Sequence, residues 1–293
     1  MKRPPRGAAL LLVLWLLLLM AGLVAVFALG SRTEALQGSA LRTQVASRNA
    51  AEAGIEVAVL RLSANDPATM WVPDARPYPF DFEGYRVEVR IQDEAGKVDL
   101  NASDASLLTR LMASLGVEDG KARNLAAVIQ DWRDPDELLS IEGGAEDRDY
   151  AAAGLPYGAK DQPFTTVSEL QQLLGMDRDT YRLLAPHVTV FTARPVPEAG
   201  LSQAAVLQAL GLTPDQVARL VAAREAWQPG LPLPLLPDGT PIAVVGSGTY
   251  SVASRATRPD GNGVEVTAVL RIGAGLGFGQ LYAPLSWRTG EPD

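Results

Sequence analysis

Cysteine is absent from all 293 residues, and histidine occurs once, at position 187. Without thiols the chain forms no disulfide and offers no thiolate as nucleophile or metal ligand. A cluster of imidazole ligands is excluded, and a Ser–His–Asp triad would have to be built on this one imidazole. His187 lies in Ala185-Pro186-His187-Val188, where a helical pattern gives way to a strand pattern, and a junction residue accounts for it without chemistry. Basic charge is also scarce: the net charge is −8 and the pI near 4.9, so no global positive field attracts nucleic acid. These absences leave little for catalysis, and no enzymatic activity is expected.

Charge is missing altogether from residues 8–30, a Leu/Val/Ala-rich run. At ~1.5 Å per residue it is long enough to cross a hydrocarbon core of ~30 Å. Lys2, Arg3 and Arg6 precede it with no acid among them, which predicts a cytoplasmic N-terminus. A secretory signal has a shorter apolar region, of ~7–15 residues, although Ala28-Leu29-Gly30 does offer small residues for a signal peptidase. A short basic leader ending in Gly7, with the apolar run starting at Ala8, resembles the processing site of type IV pilins and type II secretion pseudopilins. That resemblance implies cleavage between Gly7 and Ala8. Pilins generally carry Glu at the fifth mature position; here it is Leu12.

The helical pattern continues past Gly30. Leu41, Val45, Ile55, Val59 and Leu62 recur at helix-compatible spacing, small residues cluster from Ala46 to Gly54, and Asn65-Asp66-Pro67 marks an end. One helix from Ala8 to Leu62 would be ~80 Å long, although a break at Gly30-Ser31 is equally compatible with the sequence. Residues 66–83 read as a Pro-, Asp- and aromatic-rich loop. Tyr85–Ile91 alternates as a half-buried strand, Glu94–Lys97 turns, and Val98-Asp99-Leu100 is a second short strand. From Asn101 to about Arg224 the chain reads as helical, until Gln228–Pro234 announces a loop. Short strand patterns follow at Ile242–Val245, Thr249–Ser254 and Val264–Ile272, the last two separated by a hairpin-like 258–263. The expected fold is α+β: a long N-terminal helix on a small antiparallel sheet, with a large all-α domain inserted between strands.

The helical block repeats itself. Leu111–Val117, Leu170–Met176 and Leu207–Leu212 each end on Leu-Gly-apolar, and a second helix follows each, at Ala122–Trp132, Arg178–Leu184 and Pro214–Arg224. Such helix-hairpin-helix units grip nucleic-acid phosphates in many proteins. Here the turns carry Glu118, Asp119, Asp177, Asp179 and Asp215, carboxylates where a phosphate would sit. A packing role is the better reading. A membrane-anchored nucleic-acid-binding protein is the alternative, and a periplasmic hydrolase on a signal anchor a third.

Eight carboxylates fall between Asp131 and Asp149, around a Gly143-Gly144 bend. Calcium takes ~6–8 oxygen ligands, but the spacing fails the EF-hand template. On the residues alone a solvated acidic loop explains the block.

Leader, helix, sheet and insertion together resemble the minor pseudopilin K family of the type II (general) secretion pathway. The most specific stretches are Val98–Ala102, Ile129–Asp136 with its Asp131-Trp132-Arg133-Asp134 core, and Gly144–Tyr150; Leu201–Ala205 departs from the pattern, lacking the Asn-Pro-Ala-Thr-like start expected there. The resemblance implies a non-catalytic subunit at the tip of the periplasmic pseudopilus, which helps to initiate its assembly for export of folded proteins across the outer membrane. It implies residues 1–7 as leader, 8–30 as the membrane part of the helix, 31–100 as helix and first strands, 101–228 as the inserted helical domain and 229–293 as the closing strands. It also implies a prepilin peptidase as processing enzyme, methylation, a single inner-membrane pass with the bulk of the chain periplasmic, and no nucleic acid. Partners would be two other minor pseudopilins, of I and J type, packing along Ala50, Ala53, Gly54 and Val57. The family's association with calcium makes Ca2+ an expected ligand, with Asp134, Asp136 and Glu146 as ligands. Leu12 fits a subunit with none above it, because a lipid-buried carboxylate is costly unless it pairs, as the pilin glutamate is thought to, with a neighbour's N-terminal amine.

Mass spectrometry of the membrane-extracted chain, with and without a prepilin peptidase, is expected to find a mature start at Ala8. A start at Ser31 would exclude the pseudopilin reading.

Overall fold

The structure is a computed structural model that describes residues 8–64, 66, 68–140, 143–228, 230–242, 246–273 and 279–290. The leader with Gly7, the residues Asn65, Pro67 and Glu142, and the proposed strand residues 243–245 lie outside the described residues.

Helix α1 runs unbroken from Ala8 to Leu62, so Gly30 does not interrupt it. Its 55 residues span ~80 Å. Leu10–Gly30 is long and apolar enough to cross a membrane, with mean hydropathy 3.0 and no part of it buried within the chain. Beyond it, the soluble half lies on a five-stranded antiparallel sheet formed by β1 (Asp74–Phe82), β2 (Tyr85–Asp93), β5 (Thr249–Thr257), β6 (Gly263–Ile272) and β7 (Tyr282–Gly290), in spatial order β1-β2-β5-β6-β7. Ala50, Ala51, Ile55, Ala58 and Val59 of α1 pack against Val87, Val89, Ile91, Val252, Ala256, Val266, Ala268 and Leu270. The helix contributes small side chains at the contact and the sheet contributes the β-branched ones.

Between β2 and β5 the chain makes the helical block. Its elements are β3 (Val98–Asp99), α2 (Ala105–Ser114), α3 (Asp119–Arg133), α4 (Asp147–Ala152), α5 (Arg178–Leu184), β4 (Val188–Thr189), α6 (Ala204–Ala209) and α7 (Pro214–Ala226). It has its own core, built on Leu108, Leu111, Leu125, Ile129, Trp132, Tyr150 and Leu184. The repeated Leu-Gly stops are real: Gly116, Gly175 and Gly211 all adopt positive φ, at 86°, 82° and 99°. The middle unit departs from the pattern, because Val167–Gln172 is a 3-10 turn rather than an α-helix.

Three further expectations are corrected. Residues 74–82 form strand β1 rather than part of a loop. Pro77 and Pro79 hid it, but β1 is an edge strand, where a missing N–H need not serve the ladder. Glu83 and Gly84, both at positive φ (47° and 83°), close it onto β2 as a two-residue hairpin turn. Val98-Asp99 does not join the main sheet; it pairs in parallel with Val188-Thr189. Finally, β7 was not visible in the sequence, because Pro284 interrupts its alternation; a register irregularity between Val269 and Leu270 accommodates it.

The block is fastened to the sheet through polar contacts. Gln92 donates from Nε2 to the Leu201 carbonyl at 2.6 Å, Lys97 Nζ reaches Glu94 Oε1 and Ser251 Oγ at 2.7 Å each, and the Glu198 N–H donates to the Ala95 carbonyl at 2.7 Å.

Gly54 sits where helix and sheet approach most closely: a Cβ there would lie 2.0 Å from Ser254 Oγ and 3.0 Å from methyls of Val87 and Val89. Gly54→Val is therefore expected to lower the unfolding midpoint of the detergent-solubilised chain by several degrees, since overpacking costs roughly 1–3 kcal/mol or more. Gly54→Ala combined with Ser254→Gly should recover most of the loss. A Gly54→Val chain as stable as the parent would refute the close contact.

Candidate functional site

Two regions carry the candidate site residues: the end of α3 with the loop after it, and the exposed sides of α1.

Helix α3 is amphipathic, and its buried face of Leu125, Val128, Ile129 and Trp132 brings Asp131 into the interior on the same turn. The following loop folds back over that carboxylate, which accepts hydrogen bonds from the N–H of Ala145 (3.1 Å) and of Ser140 (3.2 Å) and from Ser140 Oγ. Gly144 makes the fold-back possible: its φ is 119°, and a Cβ would stand 2.0 Å from Asp131 Oδ2. Asp131 is thus satisfied by protein alone.

Its neighbours are not. Asp134 is the C-terminal cap of α3, and its Oδ1 is buried without a hydrogen-bond partner. Glu146 precedes α4, is 2% exposed, and has Oε1 likewise unpartnered; its backbone N–H donates to Asp149 Oδ2 at 3.0 Å, and its carbonyl accepts from the N–H groups of Asp149 (2.7 Å) and Tyr150 (3.2 Å). Asp136 is exposed and accepts from the Leu138 N–H at 2.9 Å. Burial, with Asp131, Asp134, Asp161 and Asp136 nearby, pushes the Glu146 carboxyl up to about 7. Burial, with Asp136, Asp131 and Asp161, pushes Asp134 up in the same way against the opposing pull of Arg133. Asp134, Asp136 and Glu146 therefore share one electrostatic field. Among the described residues, however, no three Asp, Glu, His or Cys side chains are gathered into a ready-made metal cage. Asp161 was missed altogether. It comes from a distant loop, at φ 52°, and nothing in Lys160-Asp161-Gln162-Pro163 marks it.

The hairpin carboxylates have a local function. Glu118 accepts from the N–H groups of Gly120 (2.8 Å) and Lys121 (2.9 Å), and Asp177 accepts from that of Thr180 (2.7 Å). Lys121 Nζ is itself bound to Asp177 and to Thr180 Oγ1. The N-terminal amides that a phosphate would require are occupied by the chain's own acids. His187 is half-buried in the 3-10 turn before β4; burial and then Lys97 lower its pKa.

On α1, Leu12 is exposed within the apolar span. Of the four residues expected to face partners, Ala50 and Gly54 are buried against the chain's own sheet, a correction forced by the close approach at Ser254; Ala53 and Val57 are half-buried beside them. Among the uncovered apolar residues of the soluble half, with Leu36 and Leu60, are Leu41 and Val45, 62% and 56% exposed, which flank a shallow groove with Arg42, Ala46 and Asn49.

Residues 90–193 match the family described as "Type II secretion system (T2SS), protein K". Type II secretion system protein K of Pectobacterium carotovorum subsp. carotovorum is 31% identical over 216 residues, 64% of this chain and 63% of that protein. The protein K of Pseudomonas aeruginosa is 30% identical over 164 residues, 53% of this chain and 49% of that protein. The match thus spans about half to three-fifths of the length of these relatives. Among solved structures, a chain of the GspK-GspI-GspJ complex from the enterotoxigenic Escherichia coli Type 2 Secretion System is similar with a TM-score of 0.60 over 89% of this chain and 100% of that one, at 21% identity. At that identity the likeness is one of fold.

Because Glu146 holds its proton more tightly folded than unfolded, its contribution to stability is fullest below pH 4.5 and is lost as the pH rises to about 7. Glu146→Gln should flatten that fall and unfold at a higher temperature than the parent at pH 7.5 in the absence of divalent cations. Parallel midpoint-versus-pH curves for the two chains would count against the crowded acid.

Proposed function

We propose that this chain, whose residues 90–193 match the type II secretion system protein K family, is a member of that family and a non-catalytic minor pseudopilin at the tip of the pseudopilus, where it helps to start assembly of the fibre. The observation that carries the reading is the continuity of α1. One helix joins an uncovered apolar span, Leu10–Gly30, to a soluble half locked onto its own sheet. Such a helix needs hydrocarbon, or other helices, around its first half. With Lys2, Arg3 and Arg6 before the span, the N-terminus faces the cytoplasm and the bulk lies in the periplasm, anchored by a single pass in the inner membrane. Leu12 at the fifth mature position removes the need for an amine from a subunit above, and the bulk of the helical block discourages stacking there.

The partners on this reading are two further minor pseudopilins, I-like and J-like, because the similar fold was solved in a complex of those three kinds of chain. They pack on the side of α1 that the sheet leaves uncovered, around Leu41 and Val45, rather than on Ala50 and Gly54.

Calcium belongs to the same proposal. The fit rests on Asp134 Oδ1 and Glu146 Oε1, two buried carboxylate oxygens without partners, in a cluster where Asp131, Asp136 and Asp161 raise the cost of charge. A divalent cation held by Asp134, Asp136 and Glu146 would relieve that repulsion and fix the loop onto the end of α3.

Two measurements test this. The chain, co-purified in detergent with an I-type and a J-type pseudopilin, should form a stoichiometric complex and no polymer by itself; Val45→Asp should weaken the complex while leaving the unfolding midpoint of the isolated chain unchanged. Failure to bind either partner removes the tip role. Millimolar calcium should raise the unfolding midpoint and perturb Trp132 fluorescence, and Asp134→Ala with Glu146→Ala should abolish both responses. A parent indifferent to calcium and chelator leaves the acidic block a structural loop only.

A further inference from the structure

The turn between β5 and β6 reads Arg258-Pro259-Asp260-Gly261-Asn262-Gly263, and Asn262 is the only asparagine of the chain that glycine follows. This turn lies at the end of the sheet away from the helical block, which leaves after Asp93 and returns before Thr249, at the opposite ends of β2 and β5. Asn262 is exposed. Gly261, at φ 86°, bends the chain, and Asp260 Oδ1 accepts from the Asn262 N–H at 3.0 Å. Asp260 also takes a hydrogen bond from the Asn262 side chain and pairs with Arg258 at 3.1 Å. The Asn262 carbonyl accepts from the Arg258 N–H at 2.9 Å, which closes the β5–β6 ladder.

That bond fixes where the next amide points. Rungs of an antiparallel pair alternate between bonded and unbonded, so the adjoining rung, Thr257↔Gly263, is an unbonded one. The Gly263 N–H is turned away from β5, towards the β7 side. There the last rung among the described residues is Glu265↔Gly290, short of Gly263. This amide is therefore bound neither by β5 nor by the described part of β7. Glycine places no Cβ beside it, which leaves the nitrogen open to the side chain that precedes it. The other described asparagines differ. Asn49 and Asn124 lie inside α1 and α3, whose backbone amides are held in helix bonds, and both ends of the Asn101 side-chain amide are spent on Phe164, at 2.9 and 2.7 Å.

We propose that Asn262 is a site of spontaneous deamidation, with water as the co-reactant. The Gly263 amide nitrogen, once solvent base has taken its proton, attacks Cγ of Asn262. The new N–Cγ bond closes a succinimide ring, the Cγ–Nδ2 bond breaks, and the side-chain nitrogen leaves as ammonia with a proton returned by solvent. Water then opens the ring at either carbonyl. Opening at Cγ leaves aspartyl; opening at the main-chain carbonyl leaves isoaspartyl, in which the former Cβ joins the main chain. Nothing is oxidised or reduced. Both products set a carboxylate beside Asp260 where the turn had a neutral amide, and isoaspartyl also lengthens the loop at the Thr257↔Gly263 rung. The change is confined to the end of the sheet away from the helical block, and the site does not depend on the pseudopilin reading.

The test is peptide mapping by mass spectrometry of the full chain, aged in detergent at mildly alkaline pH in heavy-oxygen water. The fragment spanning β5 and β6 should move to the mass of the acid, carry the heavy label, and split into aspartyl and isoaspartyl forms with isoaspartyl in excess. A ring intermediate gives that pair of products; direct hydrolysis gives aspartyl alone. Fragments with Asn49, Asn101 and Asn124 should keep their amides. Asn262→Gln should leave the hairpin fragment unchanged, since the larger ring closes far more slowly. A parallel sample unfolded in urea supplies the second measurement, because there the Asn-Gly pair reacts free of the fold. Loss of the amide in urea with none in the folded chain over the same time overturns the proposal, as does an aspartyl product without isoaspartyl.

Discussion

The close seating of α1 on the sheet is the contact on which the other features depend. The helix can approach only where its side chains vanish, and Gly54, Ala50, Ala51 and Ala58 provide that stripe. Val87 and Val89 of β2 and Ser254 of β5 fill the space from the other side, with Ser254 Oγ standing where a Gly54 side chain would be. Once the helix is held by this stripe, its rotation about its own axis is fixed. That rotation decides which residues remain available to other subunits. Leu41 and Val45 are left uncovered; the small residues that would have suited an intermolecular helix pair are consumed within the chain.

The helical block inherits its position from the same frame. It leaves the sheet after β2 and returns at β5, adjacent strands in the sheet, so that both connections emerge side by side. Polar anchors then hold it from several directions: Gln92 to Leu201, Lys97 and Glu94 to Ser251, and Arg76 to the end of α7. A block so fastened has a defined place relative to the long helix, which is what a role based on bulk would require.

Around the end of α3 the chain accepts a local conflict. Asp131 is fully satisfied by the loop that wraps it, but the wrapping brings Asp134, Glu146 and Asp161 into the same field and leaves two buried oxygens idle. Loops with so little apolar content are stabilised mainly by such polar contacts, and unpaired ones are costly there.

Much of the molecule was legible in the order of its residues, because the responsible forces act between near neighbours. The two halves of the long helix, the glycine stops at 116, 175 and 211, the start and end of α5, and strands β2, β5 and β6 follow from periodicity, capping and turn chemistry, whereas the continuity of α1 through Gly30 did not. The acidic loop and its Gly143-Gly144 bend were visible for the same reason. What only the tertiary structure decided is long-range pairing and which side of each element is covered. Prolines disguised β1 and β7, whose strand character comes from the neighbours they pair with. The parallel contact of Val98-Asp99 joins segments about ninety residues apart. Asp161 enters the acidic cluster from a loop that carries no motif, and Gly54 faces inward because the sheet happens to claim that face of α1. Local sequence sets the period of a helix or strand. Its partners, and the fields in which its charges sit, are properties of the assembled chain.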